Sequence, residues 1–278
     1  MTGKKLAVVR GGGDLATGVI YRLWRVGYSV LCLETPVPLV VRRTVAAASA
    51  VFDNSIAIED MKAVLINSAY DFDMDAGFVS VLVDPLGFSI EKLSPDIVVD
   101  AIMAKKNTGT DKDMAPLVIG IGPGFTAPDE VHAVIETKRG HTLGRVIRNG
   151  SAIPNTGIPG VIKGYSVERL LRSPAEGHVI PVRTIGDEVE KGETVATVAG
   201  VPVRSQLDGV LRGLVHPKVW ASTGLKIGDI DPRGDPSHCY SISDKALSVA
   251  GGVLEAIMSG TDKDGPVTDT FMKLMMHI

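Results

Sequence analysis

The sequence predicts an α/β protein: a Rossmann-like N-terminal domain, then a small all-β barrel-sandwich domain, then a C-terminal helix. Three observations predict it. A short apolar strand, three consecutive glycines and a helix open the chain. Further short apolar runs follow, each ended by a turn or an acidic residue. Residues 173–233 then carry two β units of like spacing.

The opening unit is KKLAVVRGGGDLATGVIYRLWRVGYSVLCLE, residues 4–34. Residues 5–9 read as a strand, and Gly11, Gly12 and Gly13 form the turn. Leu15, Val19, Ile20, Leu23 and Trp24 recur at helical spacing. Residues 29–33 form a second strand ending in Glu34. A glycine turn between strand and helix lets an anion approach the backbone and meet the N–H groups of the helix start. An acid about 20 residues on suits ribose hydroxyls. Arg10 can pair with phosphate. Asp14 would repel it while stabilising the helix dipole. The third small position is Ala16. A β-α-β unit without a ligand satisfies the same pattern.

After the turn at Pro36 and Pro38, residues 39–51 are expected to be a helix carrying Arg42 and Arg43, and residues 59–69 another. FVSVLV, IVVD and LVIGI read as buried strands of a parallel sheet flanked by helices. Residues 131–137 and 143–147 alternate as a hairpin around KRGH. The stretch 149–160 is a linker or functional loop rich in Gly, Pro and Asn. Residues 242–258 form a helix whose Gly251-Gly252 pair permits close packing. The FMKLMM tail is amphipathic or frayed. The expected domains are 1–165, 166–235 and 236–278.

Within 173–233, EGHVIPVRTIGDEVEKGETVATV and DGVLRGLVHPKVWASTGLKIGDI resemble the halves of a biotinyl/lipoyl-like barrel-sandwich domain. Carriers of that kind need a lysine at the hairpin joining the halves. Here that hairpin is AGVPVRS, and no lysine lies between Lys191 and Lys218. A β module for docking, without a covalent arm, is expected.

The chain has 278 residues and a net charge of −3 without a basic run, so nucleic-acid binding is not suggested. A leading apolar segment with a cleavage site and a long apolar span are both lacking, so a soluble cytoplasmic protein without a membrane partner is expected. Cys32 and Cys239 make neither a disulfide framework nor a zinc site, and no metal site is expected.

Two further clusters are candidates. Asp100 precedes Lys105, Lys106 and Asn107, and Gly122 and Gly124 follow the next strand. On one sheet edge, these lysines and open amides can neutralise an anionic ligand. Together with Arg10, Gly11, Gly12, Gly13, Asp14 and Glu34 they form the expected cofactor site. Glu136, Arg139 and His141 surround one hairpin turn, where an acid, a cation and an imidazole can transfer protons. Cys239, just before a helix, can have a lowered thiol pKa and carry sulfur or selenium. A solvated turn and a packed cysteine are the plain alternatives.

The motifs VVRGGGDLATG, ETPVPLVVRRTVA, VDAIMAKKNTGT, APLVIGIGPGF, HAVIETKRGHTLGRVI, GLKIGDIDPRG and ISDKA together resemble the YqeB family over about residues 4–258. The resemblance implies the selenium-dependent molybdenum hydroxylase system, in making or inserting the molybdenum centre, without a settled reaction. The chain departs from the family at VAAASAVFDNS, where members are bulkier and partly aromatic. The opening turn is also similar to NAD-binding precorrin-2 dehydrogenases and to proteins that load molybdenum cofactor onto xanthine dehydrogenase.

Three readings follow. The first is a maturation factor holding a nucleotide or molybdopterin dinucleotide and passing it, or its sulfur or selenium ligand, to a molybdenum hydroxylase apoprotein or another maturation factor. The second is an NAD-dependent oxidoreductase, with Glu34 disfavouring NADP. The third is an adaptor with a degenerate Rossmann fold. Whether the chain is an enzyme is left open.

Overall fold

A computed structural model describes residues 4–104, 106–155, 157 and 159–260. The chain runs β1 (Leu6–Arg10), α1 (Asp14–Arg25), β2 (Ser29–Glu34), α2 (Ala50–Asp53), β3 (Ser55–Ile58), β4 (Met61–Ile66), β5 (Val79–Val83), α3 (Phe88–Leu93), β6 (Ile97–Asp100), β7 (Leu117–Ile121), β8 (Ala133–Ile135) and β9 (Val146–Ile147). The β module follows: β10 (Leu170–Arg172), β11 (Gly177–Pro181), β12 (Glu188–Val189), β13 (Thr194–Val198), β14 (Val201–Arg204), β15 (Gly209–Leu214), β16 (Trp220–Ala221) and β17 (Lys226–Asp231). The last described element is α4 (Asp244–Ser259).

Strands β1 to β9 form one nine-stranded sheet in the order β3-β4-β5-β2-β1-β6-β7-β8-β9. From β4 to β8 neighbouring strands are parallel. Antiparallel β3 and β9 close the two edges, so the sheet is mixed. Alternation along each strand divides the core. Ala7, Val9, Val30, Cys32, Val99 and Ile119 face α1 and α4. Leu6, Val8, Leu31, Leu33, Val98 and Val118 face α3 and the loops carrying Phe125 and Ala152.

This corrects the expected Rossmann-like domain. Of the crossovers between parallel strands, those from β1 to β2 and from β5 to β6 carry α1 and α3. The segment 39–51 forms 3₁₀ turns at Arg43–Val45 and Ala47–Ser49, followed by the single turn of α2. Ala46, Ala47, Ala48 and Ala50 are fully buried there, because small side chains let this segment lie against the glycine turn. The segment 59–69 is not a helix either. Its alternating burial at Met61 and Ala63 makes it strand β4.

The β module comprises two antiparallel sheets, β10-β17-β15-β12 and β14-β13-β11-β16, around a core of its own. Strand β10, upstream of the internal repeat, supplies one edge beside β17. These two four-stranded sheets stand in place of the expected barrel-sandwich.

Helix α4 returns to the large sheet and packs on α1. A Cβ at Gly18 would lie 2.8 Å from Ala246, so the two helices touch at a glycine. Of the Gly251-Gly252 pair, one member makes the close contact. A Cβ at Gly252 would strike the Gly144 carbonyl, whereas Gly251 meets open space. The FMKLMM tail lies outside the described residues.

Gly252→Ala should therefore destabilise the protein by about 1–3 kcal/mol through overpacking. Gly251→Ala should instead stabilise it by up to about 1 kcal/mol through helix propensity. Urea denaturation of the two variants checks the contrast.

Candidate functional site

The carboxyl ends of parallel strands gather loops at one sheet edge, where open α/β sheets bind ligands. Here β1 ends at Arg10, β2 at Glu34 and β6 at Asp100, and Asp84 follows β5. Their loops enclose a cavity of about 680 Å³, within the range of small-molecule sites. Leu33, Val37, Leu39, Val40, Ile102 and Met103 contribute apolar surface. The β module closes the cavity with Arg212, Lys226 and Asp229.

The glycine turn is shaped by the chain itself. The Gly11 N–H donates to the Leu33 carbonyl at 2.8 Å. A Cβ at Gly11, whose φ is 89°, would lie 3.0 Å from the Ala101 carbonyl oxygen. At Gly12 it would lie 2.7 Å from the Ala48 nitrogen and 2.8 Å from the Cys32 sulfur. Two of the three glycines thus admit neighbouring chain. A Cβ at Gly13 would make only ordinary contact with Val40, at 3.8 Å.

Glu34 lines the cavity, and its carboxylate is engaged by the chain itself. Its Oε1 accepts from the Gly12 N–H at 2.7 Å and its Oε2 from the Thr35 N–H at 2.8 Å. Burial raises its carboxyl pKa against those two bonds. Asp14 stands at the start of α1 and pairs with Arg42 at 2.9 Å. Arg42 also donates to the carbonyls of His238 and Ser241, at 2.8 and 2.9 Å.

Arg10 is buried. Its Nη1 donates to the Thr110 hydroxyl and lies 3.7 Å from Asp100. Asp100 accepts from Thr110 at 2.5 Å and from the Ile102 N–H at 3.1 Å, and burial raises its pKa. Asn107 organises its own loop: its Oδ1 accepts from the N–H groups of Gly109 and Thr110. Lys106 is exposed, and Lys105 lies outside the described residues. Gly122 and Gly124 serve close approach. A Cβ at the first would lie 2.8 Å from the Thr137 hydroxyl, and at the second 3.4 Å from the backbone of Ala104 and Lys106.

The expected acid, cation and imidazole do not assemble. Glu136 is buried and accepts from the backbone N–H groups of Thr137, Lys138 and Ile153 at 2.8, 2.8 and 2.9 Å. Arg139 makes a two-pronged pair with Asp244 at 2.8 and 2.9 Å, and His141 is exposed. Cys239 is likewise unlike a reactive thiol. It is buried 3.8 Å from the Leu211 carbonyl, and burial pushes its pKa up. Among the described residues no group of three His, Cys, Asp or Glu side chains could hold a metal. Nor is any helix among them long and apolar enough to cross a membrane.

Sequence reasoning assigned no role to Arg42, Arg212, Lys226 or Asp229. The signal was present in β17, KIGDID, where one lysine and two aspartates interrupt an otherwise buried strand. Asp229 pairs with Arg169 at 3.2 Å and Arg212 at 2.6 Å. Asp231 is fully buried. Burial raises its carboxyl, but bonds from the Arg233 guanidinium and N–H, and the charge of Arg212, hold it down at about 2. Lys226 is different. Its side chain makes no hydrogen bond or ion pair among the described residues, and burial lowers its ammonium pKa despite Asp229.

No protein-family model matches the chain. It is 46% identical over 259 residues to "Uncharacterized protein YqeB" of Escherichia coli K12, covering 92% of this chain and 48% of that protein. The chain thus spans about half the length of the curated relative it matches, and the likeness supports the YqeB family. It lends no support to a selenium-dependent molybdenum hydroxylase role.

Among solved structures, an aspartoacylase family protein from Mesorhizobium loti aligns at 12% identity, over 82% of this chain and 84% of its own, with a TM-score of 0.27. The product-bound ectoine utilization protein EutE (DoeB) from Ruegeria pomeroyi aligns at 11% identity, over 82% and 85%, with a TM-score of 0.25. Likenesses this low carry no argument for a shared activity. The mixed nine-stranded sheet and the two four-stranded sheets of the β module correct the Rossmann and barrel-sandwich assignment. The molybdenum hydroxylase maturation and NAD-dependent oxidoreductase readings are corrected with it.

The folded-state pKa of Asp231 lies below the ordinary aspartate value, so its share of stability is complete above about pH 4 and lost towards about pH 2. Urea unfolding at stepped pH should lose about 2 kcal/mol across that window. The same segment should be shallower in Asp231→Asn.

Proposed function

We propose that this YqeB-family chain binds a small organic anion in the cleft between the large sheet and the β module, with the Lys226 ammonium as counter-charge. The observation that supports this reading is the state of the charged groups around the cavity. Asp14 and Arg42 neutralise each other, and Arg10 is held by Thr110 and Asp100. Glu34 accepts from two backbone N–H groups. Asp84 accepts from those of Gly87, Phe88 and Ser89. Asp229 and Arg212 pair with each other. Lys226 is the charged group lining this cavity that has no partner among the described residues.

The Lys226 ammonium is half-buried, and burial disfavours its charged form. An anion entering the cleft would supply the missing charge, and the apolar lining would accept the ligand's carbon skeleton. No side chain caps the start of α1 at the cavity wall, so its N–H groups add favourable potential for the same charge.

Ligand-observed NMR with valerate and hexanoate tests the proposal. The wild type should bind, Lys226→Met should weaken binding by about tenfold or more, and Lys226→Arg should retain part of it. Unchanged binding in Lys226→Met would overturn the reading. Affinity should also fall as pH rises through a midpoint below the ordinary lysine value, because burial disfavours the ammonium.

A further inference from the structure

We infer that the ligand of this cleft is an elongated dianion, with one anionic end at Lys226 and the other in an adjoining compartment at Lys245. This rests on the anion-binding reading above and adds the substrate class.

The adjoining compartment is a cavity of about 380 Å³ lined by Thr137, Arg139, Asn155 and Lys245. Met103 is a wall of both cavities, so the two compartments abut at one side chain. Its backbone holds φ at 61°, a conformation unfavourable for a residue with a Cβ. Strain of that kind concentrates at ligand sites. It places Met103 at the boundary between the two spaces.

The charges of the second compartment repeat the logic of the first. Arg139 is engaged by Asp244, and Lys138 is exposed. Lys245 is half-buried, and its side chain makes no hydrogen bond or ion pair among the described residues. It also lies in the first turn of α4, where the helix dipole disfavours a cation. Burial, helix position and Arg139 disfavour a cation there, the carboxylates of Asp14, Glu136 and Asp244 favour it, and a second anion would add to them. The Asp14 carboxylate favours the charged form of both Lys226 and Lys245, so both ammonium groups lie within its field. Leu39, Val40, Ile102 and Met103 line the first cavity with apolar surface, which suits a methylene spacer rather than a polar one.

The test compares glutarate, adipate and pimelate with valerate, hexanoate and heptanoate, using ligand-observed NMR on the full chain. The wild type should bind at least one diacid about tenfold more tightly than its matched monoacid. Lys245→Met should erase that preference and leave monoacid affinity unchanged, which also reports that the variant is folded. Lys226→Met should weaken both series. A preference that survives in Lys245→Met, or equal binding of diacids and monoacids by the wild type, would overturn the dianion inference and leave the anion site standing. Failure of the wild type to bind any of the acids would overturn both.

Discussion

Arg42 is the group on which the cleft depends. Its guanidinium is 6% exposed and joins three segments far apart in sequence: Asp14 at the start of α1, and the carbonyls of His238 and Ser241 just before α4. Its two Nη atoms make these bonds, while its buried Nε has no partner, and removing one partner of a buried charge leaves a large desolvation penalty. The segment after β2 therefore cannot leave the N-terminus of α1 without uncovering a charge. The entry to α4 is tied to the same point.

The neighbouring residues extend that tie to the β module. Arg43 donates its Nε to the Leu214 carbonyl at 2.7 Å, and Thr44 donates its hydroxyl to the Cys239 carbonyl. Gly213 admits the backbone of Val41, where a Cβ would lie 2.8 Å from its carbonyl oxygen. These contacts set β15 and β17 over the carboxyl edge of the large sheet. Lys226 consequently faces the loops after β1, β2 and β6. The ion network of Arg169, Arg212, Asp229 and Asp231 holds β17 rigid beneath it. A site built this way needs no element of its own, because its wall is supplied by a second core docked on the first.

The glycine turn shows how one motif can serve packing instead of recognition. Gly11 and Gly12 are required by Ala101, Ile102 and Ala48, and the Gly12 N–H is taken by Glu34. The alanine-rich stretch 46–50 is the complement of that turn, small enough to lie against Gly12. Strand, turn and helix were all legible in the sequence. What filled the turn was not, because the filling segment is distant in sequence and shows no periodicity. The same gap explains Glu136, whose three backbone N–H partners lie in a loop whose path local pattern does not specify.

The sequence by itself determined the short apolar strands, α1, the hairpin of β8 and β9 and the helix α4. Each follows from local periodicity and turn chemistry, which act over a few residues. Tertiary structure alone decided that 39–51 coils around the glycine turn and that 59–69 forms a strand, because burial against a sheet overrides helical propensity. It also decided which charges remain without partners. Asp14, Glu34 and Arg10 looked like ligand-binding groups in one dimension and proved to be engaged by the chain. Lys226 and Lys245 looked ordinary and proved half-buried and unpaired. Pairing of charges is a property of three-dimensional neighbours, and the Lys226 environment exists only where the β module meets the sheet edge.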